Sequence, residues 1–448
     1  MKRKTKKRTE TFAKMYKNVL PNGQGNWYTE DTKNEEEHPH MKKLIAFVLV
    51  AVLMGTGCAF AAEQVSGKAV LPEINNVKQF ELPESEALSF VMDMKLGWNL
   101  GNTFDATFWN GYNQNELAIE KGWCGVYTTK EMIQAVHDAG FNTIRMPVSW
   151  HDHMDKNNNF AVSEAWLNRV QEVVDWAMEL DMYLILNSHH DMVKGYCFPT
   201  EAEYANSEQF MKTLWGTVAE RFKDYDNHLI FESMNEPRLV GSNFEWSYNK
   251  VFPECNEAAE CINKLNQVFV DTVRAAGGNN ADRYLMVPGY CASPDGAMAD
   301  IFRIPADTAE NKIIISVHAY TPYNFALAAG GKSTFDNTLP GDTTEIATFM
   351  NRLYKRFVVN GIPVVIGEFG ARNKNNNLQD RVNFATYYIA AAKARGITCC
   401  WWDNNGFTGN GELFGIFNRQ KLEWPTFDIV LGMLKYADYD AIPPKPAQ

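Results

Sequence analysis

Leu229-Ile230-Phe231-Glu232-Ser233-Met234-Asn235-Glu236-Pro237 is an apolar run that stops abruptly in a polar triplet. Its shortness suits a buried strand, and the closing proline marks where a central ladder must end. Pro363-Val364-Val365-Ile366-Gly367-Glu368-Phe369-Gly370 has the same form, again with a glutamate at its end. Outward from these two lie six more short apolar runs, at 95–102, 143–150, 183–190, 284–290, 313–320 and 398–405. Between and after them the pattern changes to helical period, predicting helices over 129–139, 163–180, 207–223, 257–276, 344–358, 379–394 and 426–435, with a short one near 297–302. Strands alternating with helices argue for βα units around a parallel sheet.

Eight such units over roughly 350 residues predict an α/β fold, a (β/α)8 TIM barrel with extended βα loops, because the minimal barrel needs about 250. A doubly wound open sheet would carry a glycine-rich phosphate turn after its first strand, and Gly97-Trp98-Asn99-Leu100-Gly101-Asn102 lacks that spacing. Helix punctuation agrees: Thr128-Thr129 and Ser163 stand where N-caps belong, and Gly140, Gly277 and Gly396 follow last turns. The barrel is assigned to 86–440, with a lead-in over 63–85 and a frayed tail over 441–448 that contains Pro443-Pro444-Lys445-Pro446.

Residues 41–62 read as a signal peptide: Lys42-Lys43, an apolar run from Leu44 to Met54, then small residues through Ala59-Phe60-Ala61. The protein is therefore expected to be secreted or periplasmic. The same stretch approaches the length of a membrane anchor, and Cys58 after Gly57 is a candidate for lipid attachment to a surface form. Residues 1–40 read as an extra N-terminal extension, with Met41 as the start. Residues 1–62 hold 11 of the 43 Lys/Arg and six of the 54 Asp/Glu, which leaves 32 basic against 48 acidic residues, a formal charge of −16. That field disfavours nucleic acid as a partner and is indifferent to a neutral polymer. No stable protein partner is expected, and the chain reads as a monomer. Eight scattered Cys predict neither a disulfide framework nor a zinc site. Cys255 and Cys261 could bridge across a loop, which sequence does not decide, and Cys399-Cys400 reads as core packing.

In a barrel, reactive groups collect at the carboxyl ends of the strands. Here those ends carry Asn102, Arg145, His189-His190, Asn235-Glu236, Tyr290, His318 with Tyr320, Glu368, and Trp402-Asp403. A buried carboxylate must be paired or functional, and the bland alternative is a salt bridge between the fourth and seventh strands through Arg145. Cleavage of a glycoside needs two carboxyl groups, about 5–5.5 Å apart for retention of configuration and about 6.5–9.5 Å apart for inversion. Glu236 and Glu368 face each other across such a mouth; spacing in sequence does not choose between the outcomes.

Asn235-Glu236-Pro237, Gly367-Glu368-Phe369-Gly370, Trp401-Trp402-Asp403-Asn404 and Gly97-Trp98-Asn99-Leu100-Gly101-Asn102 together resemble glycoside hydrolase family 5, the cellulase-type barrels, in the endoglucanase/xyloglucanase-like branch. The resemblance spans roughly residues 90–440. It implies a retaining endo-acting β-1,4-glucanase with a covalent glycosyl-enzyme intermediate, Glu236 as acid/base and Glu368 as nucleophile. It implies no metal and no organic cofactor, and it maps Arg145, His189, Asn235, His318, Tyr320 and Trp402 onto supporting positions. Arg145 would keep Glu368 charged, Tyr320 would orient it, Asn235 would hold a sugar 2-hydroxyl, and His318 would tune Glu236.

The expected partner is a β-linked polysaccharide or oligosaccharide. Its pyranose faces should stack on rings, with Trp402 under the sugar beside the cut, and Trp109, Trp123 and Trp246 foremost among the loop aromatics. Asn102, Asp105 and His190 are further expected substrate contacts, the first two having loop capping as their alternative. A metal reading of His189-His190 is disfavoured because neighbours on a strand point to opposite faces. His151 and His153 read as loop surface residues. Xyloglucan and mixed-linkage glucan are close rival substrates, with mannan and xylan behind. A non-catalytic carbohydrate-binding barrel and a transglycosylase are the competing classes.

Overall fold

The computed structural model describes residues 68–108 and 115–445. The extension, the signal segment, Cys58 and Trp109 lie outside the described residues. No helix among those described is long and apolar enough to cross a membrane.

Eight parallel strands close into a barrel: β1 (Gly97–Leu100), β2 (Thr143–Met146), β3 (Tyr183–Asn187), β4 (Leu229–Glu232), β5 (Leu285–Pro288), β6 (Ile313–His318), β7 (Val364–Phe369) and β8 (Ile397–Asp403). Each predicted strand is found, and most end sooner than predicted, before their polar caps. Around them pack α2 (Lys130–Asp138), α3 (Glu164–Met178), α4 (Tyr204–Arg221), α5 (Pro253–Ala275), α6 (Pro340–Arg356), α7 (Leu378–Lys393) and α8 (Phe427–Leu434), burying one continuous apolar layer between strands and helices. Ser163 caps α3 by accepting from the Trp166 N–H at 3.4 Å, whereas Thr129 occupies the N-cap of α2 without a side-chain capping bond. Gly140, Gly277 and Gly396 have φ of 103°, 69° and 71°, the left-handed turn that ends a helix. The short helix expected near 297–302 forms earlier, at Pro294–Ala297, because Ser293 caps Gly296 and Pro294 starts the turn.

One α-helix longer than a single turn was not foreseen. α1 (Glu86–Asp93) precedes β1, is capped by Ser85, and lies against the amino-terminal mouth of the barrel. Its Ala87 and Val91, with Met94, form a second apolar cluster with Ile185, Ile230, Met286, Ile314, Val365 and Cys400, one inward residue from each of β3 to β8. The barrel is thus filled from below. A small hairpin, Met154–Asp155 with Ala161–Val162, was also unforeseen.

The lead-in and tail are tied together. Gln79 N–H donates to the Pro443 carbonyl at 3.0 Å, Ile74 N–H to the Tyr436 hydroxyl at 2.8 Å, and Ile442 is buried. The tail expected to fray from 441 is therefore held at least through Pro443. Cys255 and Cys261 both lie on α5, six residues and about 9 Å of helix rise apart. That separation is too great for a disulfide, and both thiols are free and buried. Cys399 and Cys400 are core residues, as expected.

The ladder slips at one place of consequence. On β7, Ile366 pairs with Val317 of β6, yet the next pair is Glu368 with His318; against β8, Ile366 pairs with Cys399 and Phe369 with Trp401. Both neighbours thus see one extra residue around Gly367, a bulge that turns Glu368 into the barrel mouth. A Cβ on Gly367 would come within 3.1 Å of His318 Nε2 and 3.2 Å of Arg145 Nε, so any other residue in the bulge would crowd both side chains.

Candidate active site

Two residues above the apolar cluster, the inward positions on β3, β4 and β6 become polar: Asn187, Glu232 and Ser316. Arg145 on β2 is the hub: its Nε donates to Glu232 Oε2 at 2.8 Å, Nη1 to Glu368 Oε1 at 2.8 Å and to Asn99 Oδ1 at 3.0 Å, and Nη2 to Asn235 Oδ1 at 2.7 Å. Burial works against its charge, but the two carboxylates outweigh burial and hold the guanidinium more firmly protonated than usual. Glu232 is closed in from the other side by Asn187 Nδ2 at 3.0 Å and the Ser316 hydroxyl at 2.5 Å.

Glu368 receives a second donor, the Tyr320 hydroxyl at 2.9 Å on Oε2. Burial, with the charges of Glu368 and Glu236, pushes the Tyr320 phenol far above its usual range, so it stays a donor. Glu236 stands opposite. His318 Nδ1 lies 3.0 Å from its Oε1 and 3.6 Å from Glu368 Oε1. Burial pushes the Glu236 carboxyl up, and the His318 hydrogen bond and the Arg238 charge more than reverse this, to about 2. Carboxylate oxygens of Glu236 and Glu368 lie within 4.8 Å of each other, as does the His318 nitrogen. So close an approach lies nearer the roughly 5–5.5 Å carboxyl spacing that suits direct attack than the roughly 6.5–9.5 Å that accommodates an attacking water.

Asn235 turns its Oδ1 to Arg145, which fixes the amide and leaves Nδ2 to donate into the cleft. Trp402, at the end of β8, is buried and lies parallel to the His189 ring, 5.8 Å away with a 3° interplanar angle. His189 and His190 sit edge to face at 4.4 Å. Burial, and then neighbouring charge, drives His189 well below its usual range and His190 to about 4, so both rings are neutral near pH 7 and can offer hydrogen bonds to hydroxyls. Trp123 is 37% exposed beside His190, and Trp246 is 46% exposed with the Arg238 guanidinium 4.0 Å from its ring centroid.

Four expectations are corrected. Asp105 does not face a sugar: it is fully buried and its two oxygens accept from the Asn102 and Thr103 N–H groups at 3.0 and 2.6 Å, the capping alternative. Asn102 keeps a partly exposed side chain at φ 56°. His189 and His190 are not split across a strand, because β3 ends at Asn187; with Asp105 they bring ligand-type atoms within 4.8 Å of one another. Of these, Asp105 accepts from the two N–H groups, and His189 Nδ1 lies 3.1 Å from Asn187 Nδ2. His151 and His153 are not surface residues. His151 Nδ1 meets buried Asp191 at 2.9 Å, and His153 stacks on Trp166 at 3.8 Å.

Asn99, Asn187, Glu232 and Arg238 belong to the site and were not singled out from sequence. A carboxylate inside the apolar run 229–232 was the available signal for Glu232, and the cation immediately after Glu236-Pro237 was the signal for Arg238.

A family model described as Cellulase (glycosyl hydrolase family 5) matches residues 101–408. The chain is 42% identical to endoglucanase A of Clostridium longisporum over 351 residues, 78% of this chain and 65% of that protein, so it spans somewhat under two thirds of that relative. Among solved structures, a lichenase from Caldicellulosiruptor sp. F32, described as a glycoside hydrolase 5 enzyme and seen as a mutant in complex with cellotetraose, is 56% identical with a TM-score of 0.81, covering 83% of this chain and all of that one. A broad specificity endoglucanase of the GH5-4 group from Ruminococcus champanellensis, with bound cellotriose, is 42% identical with a TM-score of 0.73, covering 80% of this chain and all of that one.

Proposed function

The chain belongs to glycosyl hydrolase family 5, and from that premise we propose that it is a retaining endo-β-1,4-glucanase whose nucleophile is Glu368 and whose acid/base is Glu236. The observation that carries this reading is the approach of the two carboxylates to within 4.8 Å, one gripped by Arg145 and Tyr320 and the other by His318.

In the first step the Glu368 carboxylate attacks the anomeric carbon, the glycosidic C–O bond breaks, and the leaving oxygen takes a proton from Glu236. That proton is shared across the 3.0 Å contact between Glu236 Oε1 and His318 Nδ1, so the pair can carry it although the carboxyl alone is strongly acidic. Esterification removes the negative charge beside Glu236. In the second step Glu236 takes a proton from water, the hydroxide equivalent attacks the anomeric carbon, and the bond to Glu368 breaks. Asn235 Nδ2 donates to the 2-hydroxyl, a contact that strengthens as positive charge develops on the ring. Trp402 forms the floor.

Mixed-linkage glucan is a second substrate, favoured by the 56% identity to a lichenase. The same reading makes the protein an exported one, supported by Lys42-Lys43 and the apolar run after them. The test is product size and anomeric configuration from soluble β-1,4- and mixed-linkage glucans, with Glu236→Gln and Glu368→Gln beside the wild type. Rapid shortening with retained configuration is expected, with activity falling at least about 10³-fold in both variants. Binding without cleavage would move the reading to a carbohydrate-binding barrel.

A further inference from the structure

Arg238 follows Glu236-Pro237 and turns back over it. Its Nη1 donates to the Glu236 carbonyl at 2.8 Å and lies 3.5 Å from Glu236 Oε2, so one group fixes the backbone and faces the carboxylate of the same residue. The guanidinium is nearly enclosed: Trp246 covers its plane at 4.0 Å, Glu245 Oε1 lies 3.5 Å from Nε, and that nitrogen is buried without a hydrogen bond. A planar cation on an indole is a preferred pairing, and one that strengthens when water is excluded.

The loop bearing this clamp is pinned. The Tyr290 hydroxyl accepts from Leu239 N–H at 3.2 Å and donates to the Phe244 carbonyl at 2.8 Å, and Cys291 N–H donates to the Pro237 carbonyl at 2.8 Å. Cys291 and Ala292 hold φ of 56° and 46°, a strained turn packed directly behind the Glu236-Pro237 backbone. Nothing in the two-carboxylate chemistry itself calls for these contacts.

We propose that Arg238 is a positioning residue for Glu236, and that Trp246, by stacking on the guanidinium, sets how strongly it holds that carboxylate. The inference rests on the acid/base reading of Glu236. A sugar covering the exposed side of Trp246 then shields the cation from water and tightens its grip, so occupancy of an outer subsite is linked to proton transfer at the cut. Other groups act on the same carboxylate: His318 from β6, Glu368 from β7, and His190 from the loop after β3. Glu245 faces the guanidinium itself, Cys291 lies behind, and the charge of Glu236 also reaches Glu412 in the loop after β8.

The experiment is the pH dependence of kcat/KM on one soluble β-glucan for wild type, Arg238→Met, Arg238→Lys and Trp246→Ala, with Glu236→Gln alongside. Loss of the cation makes the Glu236–His318 pair keep its proton to higher pH. The basic limb should therefore move up by about one pH unit in Arg238→Met, stay near its place in Arg238→Lys, and move by a smaller amount in the same direction in Trp246→Ala. An unmoved limb in folded Arg238→Met overturns the proposal; should that variant fail to fold, an unmoved limb in Trp246→Ala does so. Activity retained by Glu236→Gln would instead sink the acid/base reading, a separate failure.

Discussion

Ile230 and Glu232 stand two residues apart on β4, point into the same barrel and are both fully buried, yet they are held by opposite physics. Ile230 belongs to the lower cluster that α1 closes, where dispersion and exclusion of water suffice. Glu232 belongs to the upper network, where each charge is tolerable only because its partner is present. The same change occurs within one pleat on two further strands, Ile185 to Asn187 and Ile314 to Ser316. One fold thus separates a half that supplies stability from a half that stores electrostatic potential for chemistry.

The sharpest way to break the upper half is Arg145→Met. It leaves Glu232 and Glu368 without their shared cation and frees the Asn235 amide. We expect kcat to fall about 10²–10³-fold and denaturant-measured stability to fall by about 3–5 kcal/mol. Activity lost at unchanged stability would mean that the network serves chemistry alone.

The matching cut in the lower half is Ile230→Ala. A fully buried aliphatic truncation of this kind costs about 2–5 kcal/mol, and kcat per folded molecule should be unchanged. A fall in kcat would show that the apolar layer also positions the charged one above it.

This contrast also governs what could be read in the sequence. All eight strands and most helices were legible because apolar runs ending in polar residues are local signals. α1 escaped because eight residues are short for a period-based assignment, although Ser85 before Glu86 was a usable start signal. Glu236, Glu368, Arg145, His318 and Tyr320 were placed by strand ends and by resemblance, and the structure brings them together. Glu232 was passed over because its partner Arg145 is 87 residues away in sequence, so only tertiary structure reveals the pair. Asp105 and four histidines, His151, His153, His189 and His190, were misread for a shared reason. Strand alternation and exposed-loop reasoning were applied to backbone that had already left the strand, where Asx-type turns and tight packing decide orientation.

A third experiment tests a buried cation of the lower half. Lys393, near the lower mouth, is fully buried, yet among the described residues its ammonium hydrogen-bonds only to the Thr398 hydroxyl at 2.7 Å and the Met92 carbonyl at 3.3 Å. Burial drives it down from 10.5 to about 8. The folded state therefore binds fewer protons than the unfolded state between about pH 8 and 10.5, so this group's penalty is complete below pH 8 and is relieved as pH rises through that window. Lys393→Met should raise stability at pH 7 by about 2 kcal/mol and flatten the slope of stability against pH above 8. Lost stability would mean that the two hydrogen bonds outweigh desolvation, and the lower half would then be less purely apolar than its cluster suggests.

The smallest expected effect lies at the rim, where neither half rules. Trp123 is 37% exposed and leans on the neutral His190 ring, so its truncation disturbs neither the apolar layer nor the charge network. Trp123→Ala should remove one stacking surface for a sugar, worth about 1 kcal/mol, or roughly a fivefold rise in KM. kcat should hold, because the contact is made equally in ground and transition states. Steady-state kinetics on cello-oligosaccharides of increasing length will locate the subsite: the KM change should appear only once the chain reaches Trp123. A fall in kcat on short and long substrates alike would instead mean that the His190–Trp123 contact supports the histidine pair beneath Trp402, extending the charged upper half to the rim.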